Sequence, residues 1–292
     1  MLDLTTFWAG PSCTHLLAML GAEVIHVEST RRPDGTRLIA GVPVTEDQWW
    51  EKSPIFVALN TNKKGGTLDL GDSRGREVLH RLIATCDVIA ENFTPRVMDQ
   101  LGLDFTTVQS IRSDAILLRM PGFGLDGPWR DNPAFAYVIE SAAGISWMTG
   151  YPDLTPYEPY SVGDPNAGVH AANALLLALE HRRRTGRGVL VEAAMVDAAL
   201  NIAAEQVIEY SAYGRLLERA GNRGPPLCRK TSTAALTSTS SAAWTAGLPL
   251  RSRLTSTGSS WVLRSDHPHG RPNHAWPQRP AGAPTKTSLT TT

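Results

Sequence analysis

The sequence predicts an α/β fold built on a parallel, doubly wound sheet. Three observations carry this. The chain opens with a short strand-like stretch, "LDLT", then a helix-like "PSCTHLLAMLGA", then a strand-like "EVIHVE", which together make a βαβ unit. "REVLHRLIATC" has helical spacing and leads into "DVIAENF", a strand with a polar exit. "FTTVQSIRSD" leads into "AILLRM" in the same way.

The elements follow in order. Pro11 opens the first helix and Gly21 closes it. Met1 sits directly on "LDLT", so a natural start upstream is expected. The loop "FWAGPS" after the first strand is not a GxGxxG fingerprint, so a conventional dinucleotide site is not expected. "NPAFAYVIESAAGISWMTG" reads as a helix rich in small residues, suited to close packing. "GVLVEAAM" is the next strand, and "VDAALNIAAEQVIEYSAYG" an amphipathic helix. Between them and the preceding helix stands "SVGDPNAGVHAANALLLALEHRRRTGRG", whose basic end favours a helix C-terminus stopped by Gly186.

Composition narrows the function classes. The 292 residues are 42% hydrophobic and carry no net charge, so nothing global points to nucleic acid or an anionic membrane. Cys13, Cys86 and Cys228 form no CxxC pair and no zinc pattern. They read as reduced structural thiols in a cytoplasmic protein without a metal site. No signal peptide and no run of membrane-spanning length is visible. The average hides a split near position 225. Residues 225–292 hold 8 lysines and arginines against one acid, Asp266, leaving 20 basic and 27 acidic residues in the body. About a third of that tail is Ser or Thr, and such a segment cannot bury much apolar surface. Composition therefore divides the chain into a body over 1–224 and a low-complexity, largely disordered tail over 225–292.

Asp164 has two readings. It is a good helix N-cap, with Pro165 at the favoured first helical position. It is also a candidate nucleophile at a helix start, and the two roles are compatible.

Six stretches in one order, "LDLTTFWAGPSCTHLLAMLGAEVIHVE", "LNTNKKGGTLDL", "CDVIAENFTPRVMDQLGL", "PGFGLDGPW", "GDPNAGVHAANALLLALEHRRRTGRG" and "VEAAMVDAAL", resemble the class III CoA-transferases. This is the family of formyl-CoA transferase and carnitine CoA-transferase, and the resemblance covers residues 1 to 224. It implies a Rossmann-like large domain, a smaller second domain and an interlocked homodimer. It implies no permanently bound cofactor, with coenzyme A and acyl-CoA as substrates beside a carboxylic acid. The family's catalytic aspartate, in a Gly-Asp pair, falls on Asp164 of "GDPNAG". The expected chemistry is attack of this carboxylate on an acyl-CoA thioester, giving a mixed anhydride and then an aspartyl-CoA thioester. Amides of the glycine-rich turn would stabilise the oxyanion, except at Pro165, which has none.

By motif position the resemblance places Trp8 and Ala9, Leu68, Asn92 and Phe93 against CoA. Strand-end packing and turn formation are the alternative reading of Leu68, Asn92 and Phe93. Trp8 stands where formyl-CoA transferase has glutamine, which argues against a formyl or oxalyl substrate. Lys63 and Lys64 read either as phosphate contacts or as solvated charge. The alternative activity is that of the family's 2-methylacyl-CoA racemases, which need a histidine as second acid-base group. Here that position falls near Phe135, which disfavours racemisation. His170 reads as packing or surface. The tail departs from the family pattern and resembles its small domain read in a shifted frame, so neither a closed homodimer nor activity follows for this truncated chain. An inactive fragment that retains at most CoA binding is the remaining alternative.

Overall fold

A computed structural model describes residues 1–221 and the two-residue strand Leu263–Arg264. The expectations for the rest of 225–292 lie outside the described residues. Strands β1 (Leu2–Asp3), β2 (Val24–Glu28), β3 (Lys63–Thr67), β4 (Val88–Glu91), β5 (Ile116–Arg119) and β6 (Leu190–Glu192) are parallel, and β7 (Leu263–Arg264) pairs antiparallel with β6. Their order is β3-β2-β1-β4-β5-β6-β7. The first six strands reproduce the Rossmann order, which reverses direction between β1 and β4. A crevice opens beyond the carboxyl ends of the strands at that reversal, and ligands bind there in open α/β sheets.

Both faces of the sheet are covered, as parallel strands require. Along β4, Val88 and Ala90 enter one core cluster and Ile89 the other; along β5, Ile116 and Leu118 divide from Leu117 in the same way. The first cluster packs under α1 (Ala9–Met19), α6 (Ala136–Ala142), α8 (Gly163–Thr185) and α9 (Met195–Ile202). The second packs under α3 (Ser73–Thr85), α4 (Pro95–Leu101) and α5 (Phe105–Ile111).

Several sequence expectations change in detail. The first helix begins at Ala9, two residues before Pro11. The stretch 132–150 is two helices, α6 and α7 (Ile145–Met148), because Gly144 takes φ +78° between them. The segment 196–214 breaks at Ala203 into α9 and α10 (Ala204–Tyr213). Helix α2 (Pro54–Asn60) and strand β3 carried no periodic signal; Ser53 caps α2 at Phe56 N–H.

Strand β3 also corrects the reading of Lys63. Its side chain is buried, with Nζ 3.0 Å from Asp3 Oδ2 and 2.8 Å from Asn60 Oδ1. Asp3 is fully buried and accepts from Thr5 Oγ1 at 2.6 Å and Thr14 Oγ1 at 2.7 Å, while His26 Nδ1 lies 3.2 Å away. Burial opposes the Asp3 charge, but His26, Lys63 and Thr5 outweigh it and hold the carboxyl far below the usual carboxylate range. Lys64 is the exposed residue of the pair and meets Glu23 at 2.6 Å.

Helices α1 and α8 cross in close contact. A Cβ at Gly168 would stand 2.7 Å from Ser12 Cβ and 2.8 Å from the Ala9 carbonyl oxygen. Only a glycine lets the two backbones approach this closely.

Two stability predictions follow from these contacts. Gly168→Ala forces the helices apart and is expected to cost about 1–3 kcal/mol, read from urea denaturation of the full chain. An unchanged midpoint would refute the tight crossing. Lys63→Met strands the Asp3 carboxylate in the core and is expected to cost about 3–5 kcal/mol, with Lys63→Met/Asp3→Asn recovering much of it. A double variant no more stable than the single one would contradict the pairing.

Candidate active site

The loops leaving β1 and β4 are held by side chains rather than by regular structure. Thr6 N–H donates to Asn92 Oδ1 and Asn92 Nδ2 donates to the Thr6 carbonyl, both at 2.8 Å. Phe7 takes φ +63°, unusual for a bulky residue, and its N–H donates to both Asp34 carboxylate oxygens at 3.2 Å. Asp34 in turn accepts from Thr36 N–H and Oγ1 at 2.7 Å each. At the end of β4, the buried Glu91 takes Arg119 Nε at 2.6 Å and Phe93 N–H at 2.8 Å.

These loops wall a cavity of about 170 Å³ at the strand reversal. Trp8, Ala9, Asn92 and Phe93 line it, and so does Asp164. The structure thus brings together five of the six residues singled out from sequence. Leu68 lies elsewhere: it packs against the second core cluster just beyond β3, its N–H on the Glu28 carbonyl at 2.9 Å. Phe7, Pro133, Ala134, Phe135 and Met195 complete the apolar part of the wall. Phe135, at the position compared with the racemase histidine, sets its ring edge-on to Phe7 with centroids 5.0 Å apart. Among the described residues, the lining contains no histidine.

Asp164 is 8% exposed and is the second residue of α8, not its cap. Val162 occupies the cap position without a side-chain hydrogen bond, and Pro165 is the third helical residue. The capping acceptor comes from another helix: Glu140 Oε1 on α6 takes the Gly163 N–H at 2.8 Å. Gly163 N–H is committed to Glu140, Asn166 N–H donates to the Val162 carbonyl, and Pro165 has no N–H, so the helix start has fewer free amides than the glycine-rich sequence suggests.

Burial, rather than the helix start, dominates the electrostatics of Asp164. Burial first, and the Glu140 charge second, push the Asp164 carboxyl up to about 7. That rise corresponds to about 4 kcal/mol against the anion, whereas a helix start typically contributes about 0.3–1 kcal/mol in its favour. Burial therefore wins, and both protonation states are accessible near neutrality. The nearby Cys13 thiol is pushed by burial, and then by Asp3, up to about 12, so it stays neutral. Sequence reasoning missed Glu140, although an acid amid the small apolar residues of "AFAYVIESAAG" was a visible signal.

Comparison with known proteins places these features in a lineage. The model of CoA-transferase family III matches residues 1–236. The succinyl-CoA–D-citramalate CoA-transferase of Chloroflexus aurantiacus is 35% identical over 228 residues, covering 76% of this chain and 54% of the relative. A formyl-CoA:oxalate CoA-transferase of Rhodopseudomonas palustris is 40% identical over 204 residues, covering 69% and 46%. The crystal structure of a CAIB/BAIF family protein from Brucella suis superposes with a TM-score of 0.71 at 32% identity, covering 77% of this chain and 59% of that one. The chain spans about half the length of the curated relatives it matches. By fold, by ordered motifs and by the family match over residues 1–236, the chain belongs to CoA-transferase family III.

Proposed function

We propose that this chain handles acyl-CoA in a CoA-transferase reaction, moving coenzyme A from a thioester to a carboxylic acid with Asp164 as the nucleophile. The observation that supports this most is one buried carboxylate, Asp164, sharing the strand-reversal cavity with Trp8, Ala9, Asn92 and Phe93. An Asp164 oxygen attacks the thioester carbonyl, the C–S bond breaks, and CoA leaves as thiolate, giving an anhydride. The thiolate then adds to Asp164 Cγ and expels the donor's carboxylate, leaving an aspartyl-CoA thioester. The acceptor carboxylate reverses both steps, so no proton is consumed overall. No permanent cofactor enters this scheme. Asn92 acts through Thr6, whose backbone it fixes, and Phe93 through the apolar wall it gives the cavity. Leu68 would meet a more distant part of CoA.

The wider setting belongs to the same proposal. No described helix is long and apolar enough to cross a membrane, and Cys13 and Cys86 are both buried and unpaired, which supports cytoplasmic residence. Helix α10 buries none of its residues and exposes Val207, Ile208, Tyr210 and Tyr213. A further domain or a second copy would cover that face, as in a homodimer.

Asp164→Asn tests the reaction. Exchange of a labelled carboxylic acid into acyl-CoA is expected to be abolished, while the wild-type rate climbs with pH through about 7 as Asp164 ionises. Retained exchange in Asp164→Asn would contradict the covalent route. CoA binding without exchange in the wild type would instead support a CoA-binding fragment. Stability carries an independent sign. A carboxyl raised in the folded state is no burden below the unfolded value near 3.8, and its burden grows as pH rises toward 7. Asp164→Asn is therefore expected to stabilise the chain at pH 8, by up to about 4 kcal/mol, and to leave it unchanged near pH 3.5. A loss of stability at pH 8 would contradict the burial argument.

A further inference from the structure

Among the described residues, three acidic side chains are completely buried: Asp3, Glu91 and Glu140. Asp3 has Lys63 and His26 beside it, and Glu91 has Arg119 at 2.6 Å. Glu140 has no cationic partner among the described residues. Its Oε1 accepts one amide, from Gly163, and its Oε2 is buried without a hydrogen-bond partner among the described residues. Capping an amide needs only a neutral acceptor, and serine, threonine or asparagine at the cap position supplies one at lower desolvation cost. A carboxyl at Glu140 exceeds what the capping requires. It lies against the amide of Gly163, the residue before Asp164.

We propose that Glu140 is a positioning residue for Asp164: it caps α8 from the neighbouring helix and its charge governs when the nucleophile is ionised. The proposal rests on the reading of Asp164 as nucleophile. Two carboxylates in one desolvated site oppose each other's ionisation, and Glu140 is the charged neighbour that acts on Asp164. Burial and Glu140 are the causes that act on Asp164, and the other titratable groups nearby have partners of their own or lie on another side of α8. His170 is six residues along α8, on another side of the helix from Asp164. Asp197 of α9 responds to burial and to Glu192. On α1, His15 meets the Thr61 carbonyl, and Cys13 sits among Asp3 and Lys63. Glu180 and Arg182–Arg184 lie at the far end of α8, paired with one another or with Asp87 and Asp114. A carboxylate with raised proton affinity is also the better nucleophile once ionised. Glu140 thus trades availability at low pH for reactivity near neutrality.

The test is direct titration of Asp164 in the full chain by carbon-13 NMR of labelled aspartate, with Asp164→Asn assigning the signal. Glu140→Gln keeps a carbonyl acceptor for the Gly163 amide and removes the charge. The Asp164 midpoint is expected to fall by about one pH unit or more. A midpoint unmoved in Glu140→Gln would overturn the proposal, because a purely structural cap would leave it in place. If Glu140→Gln does not fold, Glu140→Asp retains the charge and must keep Asp164 titrating well above the ordinary aspartate range; a midpoint back near 4 would overturn the proposal equally. The titration uses no CoA. Failure of CoA exchange in the wild type would therefore sink the proposed function alone, while an unmoved midpoint would sink the role of Glu140 alone.

Discussion

The crossing of α1 and α8 at Gly168 sets the geometry on which the rest of the site depends. With no side chain at that position, the α8 backbone rests on Ala9 and Ser12. Two helix starts thereby reach the same crevice: α1 begins beside Trp8, and α8 begins with Gly163 and Asp164. The sheet supplies the crevice itself, because the strand order reverses between β1 and β4. A larger residue at the crossing would separate a nucleophile on one helix from a binding loop on the other.

Buried charge is distributed in two ways around this frame. Where the fold needs rigidity, acids are matched with cations: Asp3 with Lys63 under the β1 exit, with the His26 ring alongside, and Glu91 with Arg119 under the β4 exit. These pairs orient Thr5 and Phe93, which flank the cavity loops. Around the start of α8, Asp164 and Glu140 have no cation beside them among the described residues, and burial first, then Glu140, holds Asp164 up to about 7. Such an arrangement opposes folding at high pH, as sites shaped for reactivity commonly do. The strained Phe7, held at φ +63° by Asp34, belongs to the same pattern.

The sheet was legible because parallel strands buried on both faces read as continuous apolar runs, as in "AILLRM" and "DVIA". Strand β3 was not legible. "KKGGT" has no apolar period; it pairs with β2 through its backbone, and Lys63 reaches past that strand to Asp3 on β1, a contact invisible to local pattern. The helix breaks at Gly144 and Ala203 were hidden for the converse reason, since small and apolar residues continue the helical spacing through them. In the site, motif order picked out Asp164, Trp8, Ala9, Asn92 and Phe93, which the fold brings to one cavity. Motif order could not show that Asn92 spends its amide on Thr6, nor that the helix cap is supplied by Glu140, 24 positions before Asp164. Local sequence favoured Asp164 as the cap because capping rules concern neighbours, whereas this cap is a tertiary contact.

The central claim is that the Asp164 carboxyl becomes acylated and then bound to CoA. The most direct measurement is peptide mass spectrometry of the full chain after incubation with an acyl-CoA and quenching in hydroxylamine, which converts an activated carboxyl to a hydroxamate. The account predicts a hydroxamate at Asp164 that requires the acyl-CoA and is absent with free CoA. Consumption of the thioester with Asp164 unmodified, or a hydroxamate on another carboxyl, would contradict it.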